Sequence, residues 1–215
     1  MLTGPLLRRG SLGAGVALLV GLWAGPPGAL SAHSFAAHMT VHITTVAIAA
    51  PLIALGAAGT RFDPVATAPR LFPPVVASMI EFLVVSAWHA PLLHHAARTS
   101  AAVFAVEQAS FLVSGLLLWL SAVAGRADAR RWRAGAGTGA LLFTSMHMTL
   151  LGALFALAPR PLYAHGPGGA FGLSALDDQH AGGVIMLLVG GASYLAGGLW
   201  LTSRTLAAGR AGVLP

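Results

Sequence analysis

The chain has no cysteine and no lysine, and its 215 residues include only two glutamates and four aspartates. The absence of cysteine excludes disulfides, thiolate zinc sites, iron–sulfur clusters and cysteine-based copper-chaperone motifs. Charged residues amount to 8% of the sequence, against about 25% in a soluble domain. Because this charge is too small to cover a surface that faces water, the composition excludes an ordinary soluble protein.

Long apolar runs dominate the sequence instead. Apolar residues make up 56% of the chain, and the mean hydropathy is +0.78. A helix needs about 20 apolar residues to cross a bilayer core, and five runs reach that length: 36–57, 72–93, 100–124, 135–158 and 181–202. The runs are too long for membrane strands and lack their alternation. The sequence therefore predicts an all-α integral membrane protein, a bundle of about six transmembrane helices counting the N-terminal segment.

The N-terminal segment fits two interpretations. Two arginines, Arg8 and Arg9, precede a short apolar stretch and a small-residue end at Ala32, which is the layout of a secretory signal peptide. The same layout also suits an uncleaved first span or anchor. We divide the chain into a signal-like or first transmembrane segment, a five-helix transmembrane core and a cytoplasmic tail: 1–32, 33–203 and 204–215.

The arginines indicate the orientation of the chain. Its net charge is +6, and the basic residues lie in short clusters between the apolar runs, which favours a topological role over nucleic-acid binding. With the N-terminus inside, ten arginines fall on the inner side and only Arg98 and Arg160 on the outer side. The positive-inside rule therefore predicts that both termini are cytoplasmic.

With this orientation, eight of the nine histidines lie towards the outer face, and the ninth, His147, lies near the middle of a span. His38 and His42 are four residues apart, so they share one helix face. That spacing suits a metal ion, and it equally suits two interfacial histidines that hydrogen-bond headgroups or water. Met39 adds a thioether, and imidazole with thioether but no thiolate is typical of copper, especially copper(I).

Both glutamates, Glu81 and Glu107, fall inside predicted spans. A carboxylate at that depth is costly unless it is paired, protonated or in a wet cavity, so both are functional candidates. A neutral glutamate that hydrogen-bonds a neighbouring helix is the structural alternative. We expect His147, at similar depth, to be the partner of Glu81. Asp178, beside Asp177 at the start of the last span, is a further candidate, since helix capping explains one aspartate but not two.

Five stretches of the chain resemble the CtaG family of many-span bacterial cytochrome c oxidase assembly factors. They are HMTVHITTVAIAAPLIALG (38–56), WHAPLL (88–93), EQASFLVSGLLLW (107–119), LGALFALAPRPLY (151–163) and SALDDQHAGGVIM (174–186). In order and spacing they cover residues 33–202. The chain departs from the family pattern at Phe104 and Gln108, where the family has histidines around the glutamate, and at His180, where it has a glutamine.

The resemblance implies a non-enzymatic role in maturing a haem–copper oxidase, with copper delivered from the outer, periplasmic face of the bacterial inner membrane. It implies cytochrome c oxidase subunits and periplasmic copper chaperones as partners. We expect His38 and His42 to form the core of a copper site that His89 and His180 complete from neighbouring helices. Whether two copies form a homodimer stays open, as do the roles of His94, His95 and His165.

Three other functions remain compatible with the sequence. A b-type haem protein would use two histidines on facing helices, such as His42 and His89. A proton or solute pathway would use Glu81, His147 and Glu107 as a relay. A scaffold for assembly would bind no metal at all. We find no catalytic triad, phosphate-binding loop or zincin motif in the sequence, so we expect no enzymatic activity.

The predicted orientation is testable with reporter fusions. A reporter that is active only in the periplasm should be silent when fused after Pro215 and active when placed near Gly168, because arginine-rich segments stay inside. Reporter activity in intact cells is the measurement. The reverse pattern would contradict the orientation and, with it, the outer position of the histidines.

Overall fold

A computed structural model describes residues 4–123, 130–163 and 172–211, and over these ranges the chain is helical with no strand. It begins with α1 (Pro5–Trp23) and α2 (Pro26–Leu30). The next span comprises α3 (Phe35–Thr44), a π-helical turn (Thr45–Ala49) and α4 (Ala50–Ala57). Then follow α5 (Pro64–Thr67), α6 (Pro74–Trp88), α7 (Pro91–Thr99) and α8 (Ala101–Val123). The last elements are α9 (Arg130–Ala156), α10 (Ala175–Ile185), a second π-helical turn (Met186–Gly190) and α11 (Gly191–Ala211).

Five helical stretches are long and apolar enough to cross a membrane: Pro5–Leu30, Phe35–Ala57, Ala101–Val123, Arg133–Ala156 and Ala175–Ala207. They confirm the predicted helical membrane bundle. The predicted span 72–93 differs, because α6 ends at Trp88 and α7 bends away from it by 72°. The cause is Pro91, which forces the preceding Ala90 into an extended conformation. Only if α6 and α7 are taken together do they make a sixth span.

The span Phe35–Ala57 lies at the centre of the bundle, where most of its residues are buried. Pro51, in the middle of this span, has no N–H to donate, so a carbonyl one turn earlier loses its backbone partner. The backbone widens here into the π-helical turn, and the N–H of Ala50 bonds to the carbonyl of Thr45. Pro51 therefore leaves the carbonyls of Val46 and Ala47 one backbone donor short.

Side chains from two other helices supply the missing donors. Ser193 Oγ donates to the Ala47 carbonyl at 2.5 Å, and Trp119 Nε1 donates to the Val46 carbonyl at 3.1 Å. The hydroxyl of Tyr194 lies 3.2 Å from the same Val46 oxygen. A backbone polar group must be satisfied inside the protein at membrane depth. These bonds consequently tie α8 and α11 to the central span.

Glycines allow close contact between α9 and the last span. A Cβ atom on Gly152 would lie 2.6 Å from the Leu187 nitrogen, and one on Gly183 would lie 2.4 Å from the Ala156 nitrogen. Both distances are shorter than any normal contact, so only glycine fits at these positions. In a bilayer the hydrophobic effect does not drive helices together, so they associate through close packing of this kind.

The N-terminal segment packs against the core as a helix. A Cβ atom on Gly15 would meet Ile53 Cγ1 at 2.7 Å, which shows how closely α1 approaches α4. Ser11 Oγ donates to the Leu52 carbonyl at 2.7 Å, and the Arg8 guanidinium donates to the Gly56 carbonyl at 3.2 Å. The arginine therefore caps the carbonyl end of α4, where a cation is favoured. This packing suits a retained first helix.

We predict that replacement of Gly15 by leucine destabilises the protein, while the same change at Gly13 does not. A side chain at Gly15 would press on Ile53 and the Ala49 carbonyl, whereas one at Gly13 would meet no atom within 4 Å. Overpacking of this kind costs about 1–3 kcal/mol. Thermal unfolding of the two purified variants in detergent is the measurement, with intact mass spectrometry of each.

If the mature protein had lost residues 1–32, Gly15→Leu and Gly13→Leu would unfold at the same temperature. Mass spectrometry would then show the shortened chain. That result would contradict the assignment of α1 as a helix of the bundle.

Candidate functional site

The candidate site lies where α3, the end of α6, α7 and the start of α8 meet. On α3, His38, Met39 and His42 are buried, with 2%, 0% and 0% of their surface exposed. His89 follows the last residue of α6, and His94 reaches the same region from α7 because of the bend at Pro91. These five side chains with Glu107 are called the histidine cluster below. It has an outer layer near the start of α3 and an inner layer one turn further along.

The outer layer consists of His38, His94 and Glu107. His38 Nε2 lies 3.1 Å from Glu107 Oε1, and the two side chains are 2% and 0% exposed. Gln108 Nε2 donates to the other carboxylate oxygen of Glu107 at 3.2 Å. The ring of His94 packs edge-on against His38 with 4.9 Å between ring centroids. Both oxygens of this glutamate therefore have a partner, and these hydrogen bonds offset the free-energy cost of burying the carboxyl group.

The inner layer consists of Met39, His42 and His89. His89 Nδ1 lies 2.7 Å from the Val85 carbonyl, and its Nε2 lies 3.5 Å from Met39 Sδ. Because a carbonyl oxygen can only accept, Nδ1 carries the proton of the neutral ring. The other nitrogen then presents a lone pair to a thioether sulfur, which also has only lone pairs. Two electron-pair donors thus face each other across a short gap.

His42 lies beside this pair. Its ring centroid is 5.3 Å from that of His89 and 4.0 Å from that of Phe111. The ring is completely buried, and neither of its nitrogens has a hydrogen-bond partner. A buried polar atom without a partner costs free energy and calls for an explanation. The imidazole nitrogens of His42 are therefore available to a ligand from outside the chain.

Aromatic side chains seal the cluster from α3, α8, α9 and the segment after α9. The rings that contact its histidines are Phe35, Phe104, Phe111, Phe155 and Tyr163. Tyr163 donates its hydroxyl proton to the His89 carbonyl at 2.7 Å. Burial raises the pKa of the Tyr163 phenol, so this bond persists at neutral pH. The cluster therefore lies in a water-poor environment.

The Asp-Asp-Gln-His stretch at the start of α10 acts as a set of hydrogen bonds between helices. Asp178 accepts from Ser34 Oγ and the Phe35 nitrogen, both at 2.6 Å, and so caps α3 from a different helix. Asp177 bonds Ser174 at the start of its own helix. His180 Nε2 lies 2.9 Å from the Ala158 carbonyl, at the end of α9. The two aspartates therefore differ in role: Asp178 caps α3, whereas Asp177 bonds Ser174, the residue that caps α10.

Glu81 lies apart from the cluster, in the deeper part of the bundle. It is completely buried, and its Oε1 lies 2.6 Å from the hydroxyl of Tyr194 on α11. The sequence predicted His147 as its partner. His147 instead packs against the rings of Phe82 and Phe143. That prediction was wrong because residue 82, not 81, faces α9.

Three of the four predicted copper ligands come together, namely His38, His42 and His89. His180 bonds the end of α9 instead, and its role as a ligand stays a prediction. Met39 and Glu107 join the cluster, whereas Asp178 acts at the helix cap. Within the described part of the chain, no three histidine, aspartate or glutamate side chains form a ready-made metal site. His94 is buried and His95 exposed, and His165 lies outside the described residues.

Sequence reasoning missed the two tyrosines. The chain has only two, Tyr163 and Tyr194, and both bond a residue that the sequence did single out, His89 and Glu81 respectively. Their rarity in an apolar chain was the available signal. A buried tyrosine nearly always finds a hydrogen-bond partner, so two isolated tyrosines point towards polar groups in the interior.

A comparison with protein families shows which family the chain belongs to. The family model described as cytochrome c oxidase caa3 assembly factor matches residues 3–208. The chain therefore belongs to this family. Comparisons with curated proteins and with solved structures gave no match.

We predict that Asp178→Asn destabilises the protein and that Asp177→Asn, one residue away, has little effect. Asp178 is 1% exposed and accepts three hydrogen bonds, from Ser34 Oγ and the nitrogens of Phe35 and Ala36. Bonds to a charged group contribute about 1.5–3 kcal/mol each. Thermal unfolding in detergent is the measurement. Equal stability of the two variants would contradict the interhelical cap.

Proposed function

We propose that this member of the cytochrome c oxidase caa3 assembly factor family holds a cuprous ion in the inner layer of the histidine cluster and passes it on during oxidase assembly. The family indicates the assembly role and an association with cytochrome c oxidase. Copper is the cargo in this proposal and not a resident cofactor. The ligands we assign are His89 Nε2, Met39 Sδ and a ring nitrogen of His42.

The observation that carries the proposal is the gap between His89 Nε2 and Met39 Sδ. The two atoms are 3.5 Å apart, and the proton of the ring is used at the Val85 carbonyl. A metal ion between them would turn two opposed lone pairs into two ligand bonds.

The donor set supports copper(I) over other metals. Thioether and imidazole ligands select the soft cuprous ion, whereas calcium and magnesium need several oxygen ligands. His42 adds a second imidazole whose nitrogens are both without a partner. The apolar and aromatic surroundings favour a singly charged ion over a doubly charged one, because burial costs rise steeply with charge.

The outer layer supports entry and exit of the ion. His38 and Glu107 already bond each other, so a metal arriving there must compete with that hydrogen bond. The outer layer therefore binds copper more weakly than the nitrogens of His42 in the inner layer, which have no partner. Under the predicted orientation this layer faces the periplasm, where copper chaperones and the copper-binding part of an oxidase are found. The proposal therefore places the exchange of copper at that face of the inner membrane.

Haem ligation by His42 and His89 is less well supported. Two axial histidines must lie on opposite faces of a flat macrocycle. Here the two rings contact each other directly, at 5.3 Å between centroids and 64° between planes. These residues do not fit the group in this arrangement. An absorbance spectrum without a Soret band, taken on protein that contains copper, is expected.

We predict that Met39→Leu weakens copper(I) binding at least about tenfold, the lower end of what even an outer-shell change costs a metal site. Leucine keeps the volume of the side chain but has no sulfur. Met148→Leu is the matched control, because Met148 is equally buried at 0% exposure and lies outside the cluster. Competition with a chromophoric copper(I) chelator under anaerobic conditions measures the affinity of both variants.

The double variant His38→Ala/His42→Ala tests the same site independently. It should lose most of the copper found by elemental analysis in protein purified from copper-replete cells, while it remains in the membrane. Unchanged copper content in the double variant would reject the site. Equal affinities of Met39→Leu and Met148→Leu would remove Met39 from the ligand set.

A further inference from the structure

Glu81 is a buried carboxyl inside a helix of the bundle that the proposed copper site does not use. It is 0% exposed on α6, and Tyr194, its partner from α11, is also 0% exposed. The Tyr194 hydroxyl oxygen lies 2.6 Å from Glu81 Oε1 and 3.2 Å from the Val46 carbonyl oxygen. In the ranges that the structure describes, no arginine or histidine lies within ion-pair distance of this carboxyl.

The number of hydrogens around the Tyr194 hydroxyl decides how these groups bond. The phenol has a single hydrogen, yet its oxygen is within hydrogen-bond distance of two oxygen atoms. If Glu81 carries a proton, its O–H donates to the phenol oxygen, and the phenol O–H donates to the Val46 carbonyl. The phenol then bonds both oxygen atoms within its reach. If Glu81 is ionised, the phenol hydrogen turns to the carboxylate and leaves the carbonyl.

The ionised form also has no compensation for its charge. Glu81 Oε2 has no hydrogen-bond partner, so half of a carboxylate would be bare in the interior of the membrane. A charge that is neither paired nor fully hydrogen-bonded costs several kcal/mol at such depth. In the neutral acid, Oε2 is only a carbonyl oxygen. Neutralisation by a proton removes most of the penalty.

We propose that Glu81 is a proton-binding site inside the membrane, where the neutral acid donates to Tyr194 and Tyr194 in turn donates to the Val46 carbonyl. The ligand of this site is a proton. Binding forms the O–H bond of the acid and directs the phenol hydrogen to the π-helical turn. Release of the proton returns that hydrogen to the carboxylate. The protonation state of Glu81 thus decides whether Tyr194 donates a hydrogen bond to the central span.

The groups that surround Glu81 are uncharged, and they come from three helices. Tyr194 faces it from α11, the Val46 carbonyl from the central span, and Trp119 stacks on Tyr194 from α8 with 5.4 Å between ring centroids. On α9, the titratable side chain of His147 packs on Phe82, the residue after Glu81. No fixed positive charge among these groups stabilises an anion. The inference is independent of copper.

Glu107 provides an internal comparison. It is as deeply buried as Glu81, but it accepts from Gln108 and lies against His38, so both of its oxygens have partners. Because Glu81 and Glu107 are the only glutamates in the chain, isotope labelling of glutamate reports on these two carboxyls and no others. The four aspartates stay unlabelled and do not contribute.

Infrared spectroscopy of the full-length protein in lipid nanodiscs tests the proposal. Protein labelled with ¹³C at the glutamate carboxyl should show, at pH 7, one isotope-shifted C=O band of a protonated acid. An exposed glutamate with a pKa of about 4.3 is fully ionised at that pH. The band should have the intensity of one carboxyl, persist in Glu107→Gln and vanish in Glu81→Gln. It should also move in ²H₂O, because its hydroxyl hydrogen exchanges.

Two further variants separate the proposed bond from general effects. Tyr194→Phe should shift the acid band to higher frequency, because the acid loses its acceptor. Ser193→Ala is the matched control: it removes the adjacent bond from α11 to the central span, at the Ala47 carbonyl, without contact to Glu81. That variant should leave the band in place.

The proposal is overturned if the labelled wild-type protein has no acid band at pH 7. It is equally overturned if the band survives Glu81→Gln and is lost in Glu107→Gln, or if Tyr194→Phe and Ser193→Ala give the same spectrum. The wild-type measurement needs no variant, so a failure of Glu81→Gln to fold does not prevent the test.

Discussion

The structure depends on one constraint: a polar group inside the bilayer must be satisfied by the protein itself. Pro51 has no N–H to donate in the central span, which leaves the carbonyls of Val46 and Ala47 one backbone donor short. Trp119, Ser193 and Tyr194 replace those donors, which holds α8 and α11 against the span. His42 and His38 lie on the same span, about one and two turns before Val46.

The same constraint separates structural polar groups from functional ones. At the start of α10 every side chain has a partner: Asp178 caps α3, and His180 bonds the end of α9. In the inner layer the reverse holds, since His42 has no partner and His89 faces a sulfur lone pair. Polar side chains whose hydrogen bonds are all made within the chain are explained by the fold. Buried groups without a partner are candidates for binding a ligand from outside the chain, and the proposed copper site rests on two of them, His42 and His89.

Much of the site was accessible from the sequence, and the misses have a common cause. Helical periodicity and span ends brought His38, His42 and His89 to one region, as observed. The same reasoning failed for the partner of Glu81, because consecutive helix residues point about 100° apart and depth alone does not give the facing direction. The predicted position of His180 beside the other histidines differs from the observed one for the same reason. Asp178, two residues earlier, faces α3, whereas His180 faces the end of α9.

The sequence by itself determined the class of protein, because low charge and long apolar runs leave a membrane bundle as the only stable solution. It also determined which residues are exceptional there, since a glutamate, histidine or proline inside a span always needs compensation. Only the tertiary structure decided which partner compensates each one. Tyr194 reaches Glu81 from more than 100 residues away, at a separation of 113 positions. Contacts over such distances are set by helix rotation and packing, which leave no local mark in the sequence.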